Sequence, residues 1–295
     1  MTADKELLQA LRREIDVIDD SIHDLIMKRT TVVERVRSAK QGEKIKIRPA
    51  REAEILYRLM ARYSGSFPKP ELGRIWRELI VATLHFEGPF SVAVSVPEGE
   101  QGCWDLARDQ YGSFTPMTRH VSARSVVEAV RNNDATVGVL AMPRSDDIEQ
   151  WWRLLVSDQP ETPKVIARLP FIPGGNHRGT EDALVICAVA QEETGRDRSF
   201  LAIEAGEDIG AKAIEGALSQ AGFSTMFNLM WHDPNRPAVW TYLVEVIGFI
   251  EDGGRQITRL MDGLGERAKR VLHLGGYAVP LHASDMAPRE NGGSE

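Results

Sequence analysis

Residues 11–40 read "LRREIDVIDDSIHDLIMKRTTVVERVRSAK", and they decide how the first third of the chain folds. Neither glycine nor proline interrupts residues 4–41. Leu8, Leu11, Ile15, Ile18, Ile22 and Leu25, then Val32, Val36 and Ala39, recur alternately every three and four residues. That spacing is a heptad seam on one long helix. The seam position between Leu25 and Val32 is position 29, where the chain places Arg29. About 37 residues at about 1.5 Å each make a rod of roughly 55 Å. Short neighbouring helices cannot cover such a seam, so a second copy of the chain is expected to do so, giving an intertwined helical dimer.

Working outward, "QGEK" (41–44) breaks the helix, and a second starts near Pro49, a residue suited to a first helical turn, and runs to about Tyr63. "SGSFPKP" (64–70) is a loop. A third helix, Glu71 to about Glu87, carries Leu72, Ile75, Trp76, Leu79, Ile80 and Thr83 on one stripe, and "GPF" (88–90) ends it. From Phe90 the pattern alternates between strand and helix: strand "FSVAVSV", helix "GCWDLARDQYG", strand "MTRHV", helix "ARSVVEAVRNND", strand "ATVGVLAM", helix "DDIEQWWRLLVSD". This predicts a small α/β layer of mostly parallel strands. The loop "PFIPGGNHRGTED", the buried strand "ALVICAVA" and the polar linker "QEETGRDR" follow. The last block reads strand (199–204), helix (211–221), strand (223–230), strand (240–249), helix (255–264), strand (270–274), a βαββαβ order of ferredoxin type. The expected domains are therefore residues 1–90, all helical, 91–195, an α/β lobe, and 196–283, ferredoxin-like, with 284–295 a disordered tail.

Composition narrows the function. At 295 residues there is room for several domains, and 42% hydrophobic with 27% charged residues is an ordinary soluble balance. No apolar run is long enough to span a bilayer and the charged start is no signal peptide, so no membrane partner is expected. Cys103 and Cys187 are too few for a disulfide framework or a metal cage, which points to a reducing cytoplasm. Residues 1–90 hold 17 Lys+Arg against 14 Asp+Glu, and the remainder 19 against 29. An acidic remainder argues against nucleic acid, while a locally cationic helical region suits a small anion.

Several ionisable or polar groups fall where the apolar pattern points inward. Arg29 fills a seam slot, Lys40 follows Val36 on the same face, Arg51 shares a stripe with Ile55 and Leu59, and Glu52 adjoins it. Thr83 and Glu87 continue the third helix's stripe one turn apart. Each has a plain structural reading: end-of-helix charges reach water, a first-turn Glu complements the helix dipole, a seam Arg sets register, and a core Thr is satisfied locally. Together, several inward cations with few anions call for a polyanionic ligand gripped between helices.

The combination "LRREIDVIDDSIHDLIMKR…VERVRSAK…IRPAREAEIL…RIWRELIVATLHFEG" over residues 5–90 resembles the all-helical chorismate mutases, the type often fused to prephenate dehydratase. The resemblance implies a unimolecular rearrangement of chorismate to prephenate in aromatic amino-acid biosynthesis, with no cofactor, metal or covalent intermediate. The catalyst holds a compact conformer and stabilises charge at the breaking ether oxygen. By the same resemblance, Arg12 reaches into the partner protomer's site and Arg29 and Arg51 bind carboxylates. Lys40 contacts the ether oxygen and a carboxylate, Glu52 holds the substrate hydroxyl, and Thr83 is a small polar position. Glu87 is the second ether-oxygen donor, and as a carboxylate it must be protonated to donate. Some members carry a hydroxyl-binding aspartate where this chain has Arg48.

The remainder resembles a degenerate prephenate dehydratase with an ACT-like end: "FSVAVSVPEGEQGCWDLA", "NNDATVGVLAMPRS", then "GALSQAGF", "HDPNRP" and "LGGYAVP". The family's Thr-Arg-Phe triplet is here Thr180-Glu181-Asp182, so dehydratase activity is not expected. The resemblance leaves Gly216, Ala217 and Leu218 as a candidate effector turn for phenylalanine or tyrosine. The reading is a homodimeric chorismate mutase with a non-catalytic C-terminal region. Its alternatives are a bifunctional mutase–dehydratase and a non-catalytic aromatic amino-acid sensor.

Overall fold

The structure, a computed structural model, describes residues 2–39, 47–98, 101–175 and 182–286. The seam sequence forms one helix, α1 (Thr2–Ala39). Its polar residues are accommodated within it: the hydroxyls of Ser21, Thr30, Thr31 and Ser38 each donate to the carbonyl four residues earlier. Leu11, Ile15, Ile18 and Ile22 stay between 48% and 56% exposed, so this copy of the chain does not cover its own seam. Two more helices follow, α2 (Pro49–Arg62) and α3 (Lys69–Glu87).

The chain forms two compact units, one of Met1–Lys46 with Ala82–Pro89 and one of Ile47–Val81 with Phe90–Glu295. The helical region expected over 1–90 is thus shared between them. In the larger unit, Ala53, Leu56 and Met60 of α2 bury against Phe171, Ala278 and Leu281. The Tyr57 hydroxyl donates to the Val279 carbonyl, and its ring lies 5.7 Å from that of Phe171. On α3 the buried positions among the described side chains are Lys69, Gly73, Arg77, Ile80, Val81 and Leu84, while Ile75, expected on the inward stripe, is exposed. The rest of the expected stripe does turn inward, Leu72 and Trp76 packing against this core and Ile80 buried, and the sheet region draws in Arg77 beside it.

The rest of this unit is a sheet with helices. Its elements are β1 (Val92–Ser95), α4 (Gly102–Tyr111), β2 (Met117–His120), α5 (Ala123–Arg131), β3 (Val137–Ala141), β4 (Lys164–Leu169), β5 (Ala183–Cys187), β6 (Asp197–Ala205), α6 (Ala211–Gln220), β7 (Thr225–His232), β8 (Trp240–Ile247), α7 (Arg255–Leu264), β9 (Ala268–Ala278) and the short α8 (Ala283–Met286). The nine strands make one sheet in the order β2-β1-β3-β5-β4-β9-β6-β8-β7. The boundary drawn at residue 195 falls inside it. One parallel pairing, Val165 with Gly275, joins the two halves. Gly275 has φ +96°, and a Cβ there would lie 2.3 Å from the Val165 carbonyl oxygen, so only glycine permits this approach. A shared core runs across the join, from Val126, Trp152 and Ile186 to Phe200, Leu243 and Tyr277. A second core lies between the ferredoxin-like strands and α6 and α7.

Some expectations are corrected. The three strands of the strand–helix alternation are parallel as expected, β1 pairing with β2 and β3, whereas β5, which follows, is antiparallel to both β3 and β4, so the lobe as a whole is mixed. The helix expected over 146–158 is a single 3-10 stretch, Trp151–Leu155. The Gln150 side chain donates to the Arg144 and Asp147 carbonyls and holds the preceding residues as a loop. Buried Trp151 and Trp152 pin the short turn through their indole N–H groups, to the Ala141 carbonyl and to Gln150. β4 is a strand that the sequence pattern does not mark. The tail expected to be disordered from 284 begins within α8, whose Asp285 carbonyl accepts from Lys69 Nζ at 3.1 Å; residues 287–295 lie outside the described residues. No helix among the described residues is long and apolar enough to cross a membrane.

Candidate active site

Arg12 and Arg29 both sit on α1, Arg12 exposed and Arg29 half-buried. Seventeen residues separate them, about 25 Å along a helix axis. That is too far for one small dicarboxylate to touch both. Thr83 is half-buried near the C-terminal end of α3, and Glu87 is its last residue. The α1 and α3 ends meet in the same compact unit, where Arg37 Nη1 donates to the Phe86 carbonyl at 3.0 Å and lies over the Phe86 ring. Lys40 and the Glu87 side chain lie outside the described residues.

The other two candidates, Arg51 and Glu52, belong to the larger unit. Pro49 opens α2, and the Glu52 amide donates to the Arg48 carbonyl at 3.0 Å. Arg51 is exposed and pairs with Glu54 one turn on at 3.0 Å, a contact of small energetic value on a wet surface. Glu52 behaves differently. It is 6% exposed, and its Oε2 accepts from Arg77 Nη1 at 2.6 Å. Arg77, 4% exposed, lies 6.0 Å over the Phe171 ring. Burial raises the Tyr111 hydroxyl well above its ordinary value, and Glu52 adds to the effect while Arg77 opposes it. These groups line a small void of about 10 Å³, barely room for one water molecule. Arg48, left without a ligand role, is paired with Glu192 at 2.5 Å.

Sequence reasoning missed Arg77. The signal was present: Gly73, Arg77, Ile80 and Leu84 recur at four, three and four residues, the same pattern that singled out Arg29. Elsewhere, Gly216, Ala217 and Leu218 lie inside α6 rather than in a turn. Gly216 is exposed, while Ala217 and Leu218 are buried in the core. In the neighbouring "HDPNRP", Asp233 accepts from the Asn235 amide and from Arg236 Nε, closing the turn between β7 and β8.

Residues 11–88 match the chorismate mutase type II family. A bifunctional chorismate mutase/prephenate dehydratase of Pseudomonas aeruginosa is 36% identical over 103 residues, 33% of this chain and 28% of that protein. One of Aquifex aeolicus is 31% identical over 140 residues, 46% of this chain and 38% of that protein. The matches thus span well under half the length of these curated relatives. Among solved structures, a prephenate dehydratase from Arthrobacter aurescens aligns with a TM-score of 0.49 at 12% identity, covering 67% of this chain and 93% of that one. Residues 11–88 carry a chorismate mutase type II domain.

Proposed function

We propose that this chain is a homodimeric chorismate mutase that rearranges chorismate to prephenate, and that its C-terminal two-thirds is structural or regulatory rather than catalytic. The observation that carries the reading is the chorismate mutase type II match over 11–88, which encloses every candidate residue of the mutase site. Arg29, Lys40 and Arg51 hold the two carboxylates, Glu52 the hydroxyl, and Lys40 with a protonated Glu87 the ether oxygen, with Thr83 beside them. Arg12 comes from the partner copy; the separation of Arg12 and Arg29 on α1 and the exposed seam both favour that arrangement. Catalysis on this reading is positional and electrostatic, with the cations matched to charge that grows only in the transition state.

Thr180-Glu181-Asp182 in place of Thr-Arg-Phe motivates the non-catalytic assignment of the remainder. One assay on purified chain tests both parts. Chorismate should disappear and prephenate accumulate, while prephenate supplied directly should yield no phenylpyruvate. Phenylpyruvate formation would favour the bifunctional alternative, and no turnover of either compound would favour a sensor. Localisation in the cytoplasm and an aromatic amino-acid effector at Gly216, Ala217 and Leu218 belong to the same proposal.

A further inference from the structure

The hydroxyl-binding role proposed for Glu52 and the place its carboxylate occupies exclude one another. Glu52 Oε2 accepts from Arg77 Nη1 at 2.6 Å, and both side chains are buried. The only space against the pair is the void of about 10 Å³, walled by Tyr111 of α4, Ile166 of β4, Phe171 and Ala278 of β9. Small-molecule sites measure about 300 Å³ or more, so no ring dicarboxylate reaches Glu52 there. The carboxylate holds either Arg77 or a substrate, never both.

The sheet region fastens α2 in the state that seals the pair. Ala53, Leu56 and Met60, in the turns around and after Glu52, pack against Phe171, Ala278 and Leu281. The Tyr57 hydroxyl donates to the Val279 carbonyl, and the Arg196 guanidinium lies 4.4 Å over the Tyr57 ring. At the helix start, Arg48 is tied at 2.5 Å to Glu192, in the segment between β5 and β6. Arg51 differs from its neighbour: it is exposed, and its pairing with Glu54 is open to water. Of the two candidates on α2, Arg51 is therefore available to a ligand without rearrangement, and Glu52 is not.

We propose that Glu52–Arg77 is an autoinhibitory latch: the sheet region holds α2 in a resting state that withholds Glu52, and chorismate binding displaces Arg77 from the carboxylate. The latch rests on the mutase reading. Substrate then binds only the fraction of chains in which the pair is open, and its apparent affinity is reduced by that fraction. A buried carboxylate deprived of its cation is costly to keep in place, so removing Arg77 shifts the population toward the open form.

Chorismate turnover by the full chain carrying Arg77→Met tests the latch, with KM and kcat read separately. KM should fall about tenfold or more while kcat stays within about twofold of the parent. The sign is decisive, because losing a cation would by charge alone weaken the hold on a dianion and raise KM. Arg77→Lys keeps the charge but exchanges a planar fork for a flexible point charge, so KM should fall about threefold. That milder variant carries the test if Arg77→Met does not fold. A KM unchanged in both variants, with only the unfolding temperature lowered, overturns the latch and leaves the pair a structural contact. A raised KM overturns it too, making Arg77 a residue that positions Glu52 for substrate. A parent that converts no chorismate overturns the mutase reading itself, and the latch with it.

Discussion

Replacing Glu52 with glutamine removes one charge and almost no volume, and the structure gives the cost. The Glu52–Arg77 pair is 2.6 Å apart with side chains 8% and 5% exposed. At an effective dielectric constant of about 20, two unit charges at that distance attract by about 6 kcal/mol. Desolvation of both groups offsets part of this, and removing one partner of a buried pair costs about 3–5 kcal/mol, mostly from the charge left behind. Glutamine keeps an acceptor for Arg77 Nη1, so Glu52→Gln should lie near about 3 kcal/mol. For a unit of this size that is a fall in unfolding temperature of roughly 6–12 °C. The double variant Glu52→Leu with Arg77→Met removes both charges and should recover most of the loss. Urea unfolding followed by tryptophan fluorescence reads both. A Glu52→Gln protein within about 0.5 kcal/mol of the parent would refute the reasoning, since a surface-like Glu52 is the only way to lose the pair so cheaply.

Three further outcomes are expected. If a protonated Glu87 donates to the ether oxygen, mutase activity rises as pH falls across roughly pH 8 to 5, and Glu87→Gln flattens the profile; a parent enzyme insensitive to pH over that range would remove this role. Leu11→Asp combined with Ile18→Asp places charge in the exposed seam of α1, so sedimentation should show a monomer where the parent is a dimer, and a parent already monomeric would contradict the dimer. His273 is buried with its Nδ1 2.6 Å from Asp252; burial pulls its pKa below the ordinary 6.5, against the opposing effect of Asp252. The unfolded chain then takes up a proton more readily, so stability falls as pH drops below about 6.5, and unfolding temperatures at two pH values should show a shallower slope for His273→Gln.

The sequence disclosed most where one helix or strand is patterned against one partner. α1 follows from an unbroken heptad seam, and α7 from apolar spacing between Gly254 and Gly265. It disclosed less where neighbours distant in the chain decide the outcome. "KVIARL" is short, and it becomes a strand because β5 and β9 flank it. "DDIEQWWRLLVSD" has helical composition, yet the Gln150 hydrogen bonds and the two buried tryptophans limit it to one turn of 3-10 helix. For the site, seam and stripe positions were legible as inward charges. What pattern alone could not reveal is that the sheet region draws in α2 and the first part of α3, so that Glu52 meets Arg77 inside one chain.

The most direct measurement is turnover by the purified full chain, followed as chorismate loss with prephenate identified as product, alongside an Arg29→Ala variant. A chorismate mutase built on these residues converts chorismate in the parent and loses at least about a hundredfold in the variant, the scale expected when a cation matched to transition-state charge is removed. A folded, dimeric parent that leaves chorismate untouched, or an Arg29→Ala protein as active as the parent, would contradict it.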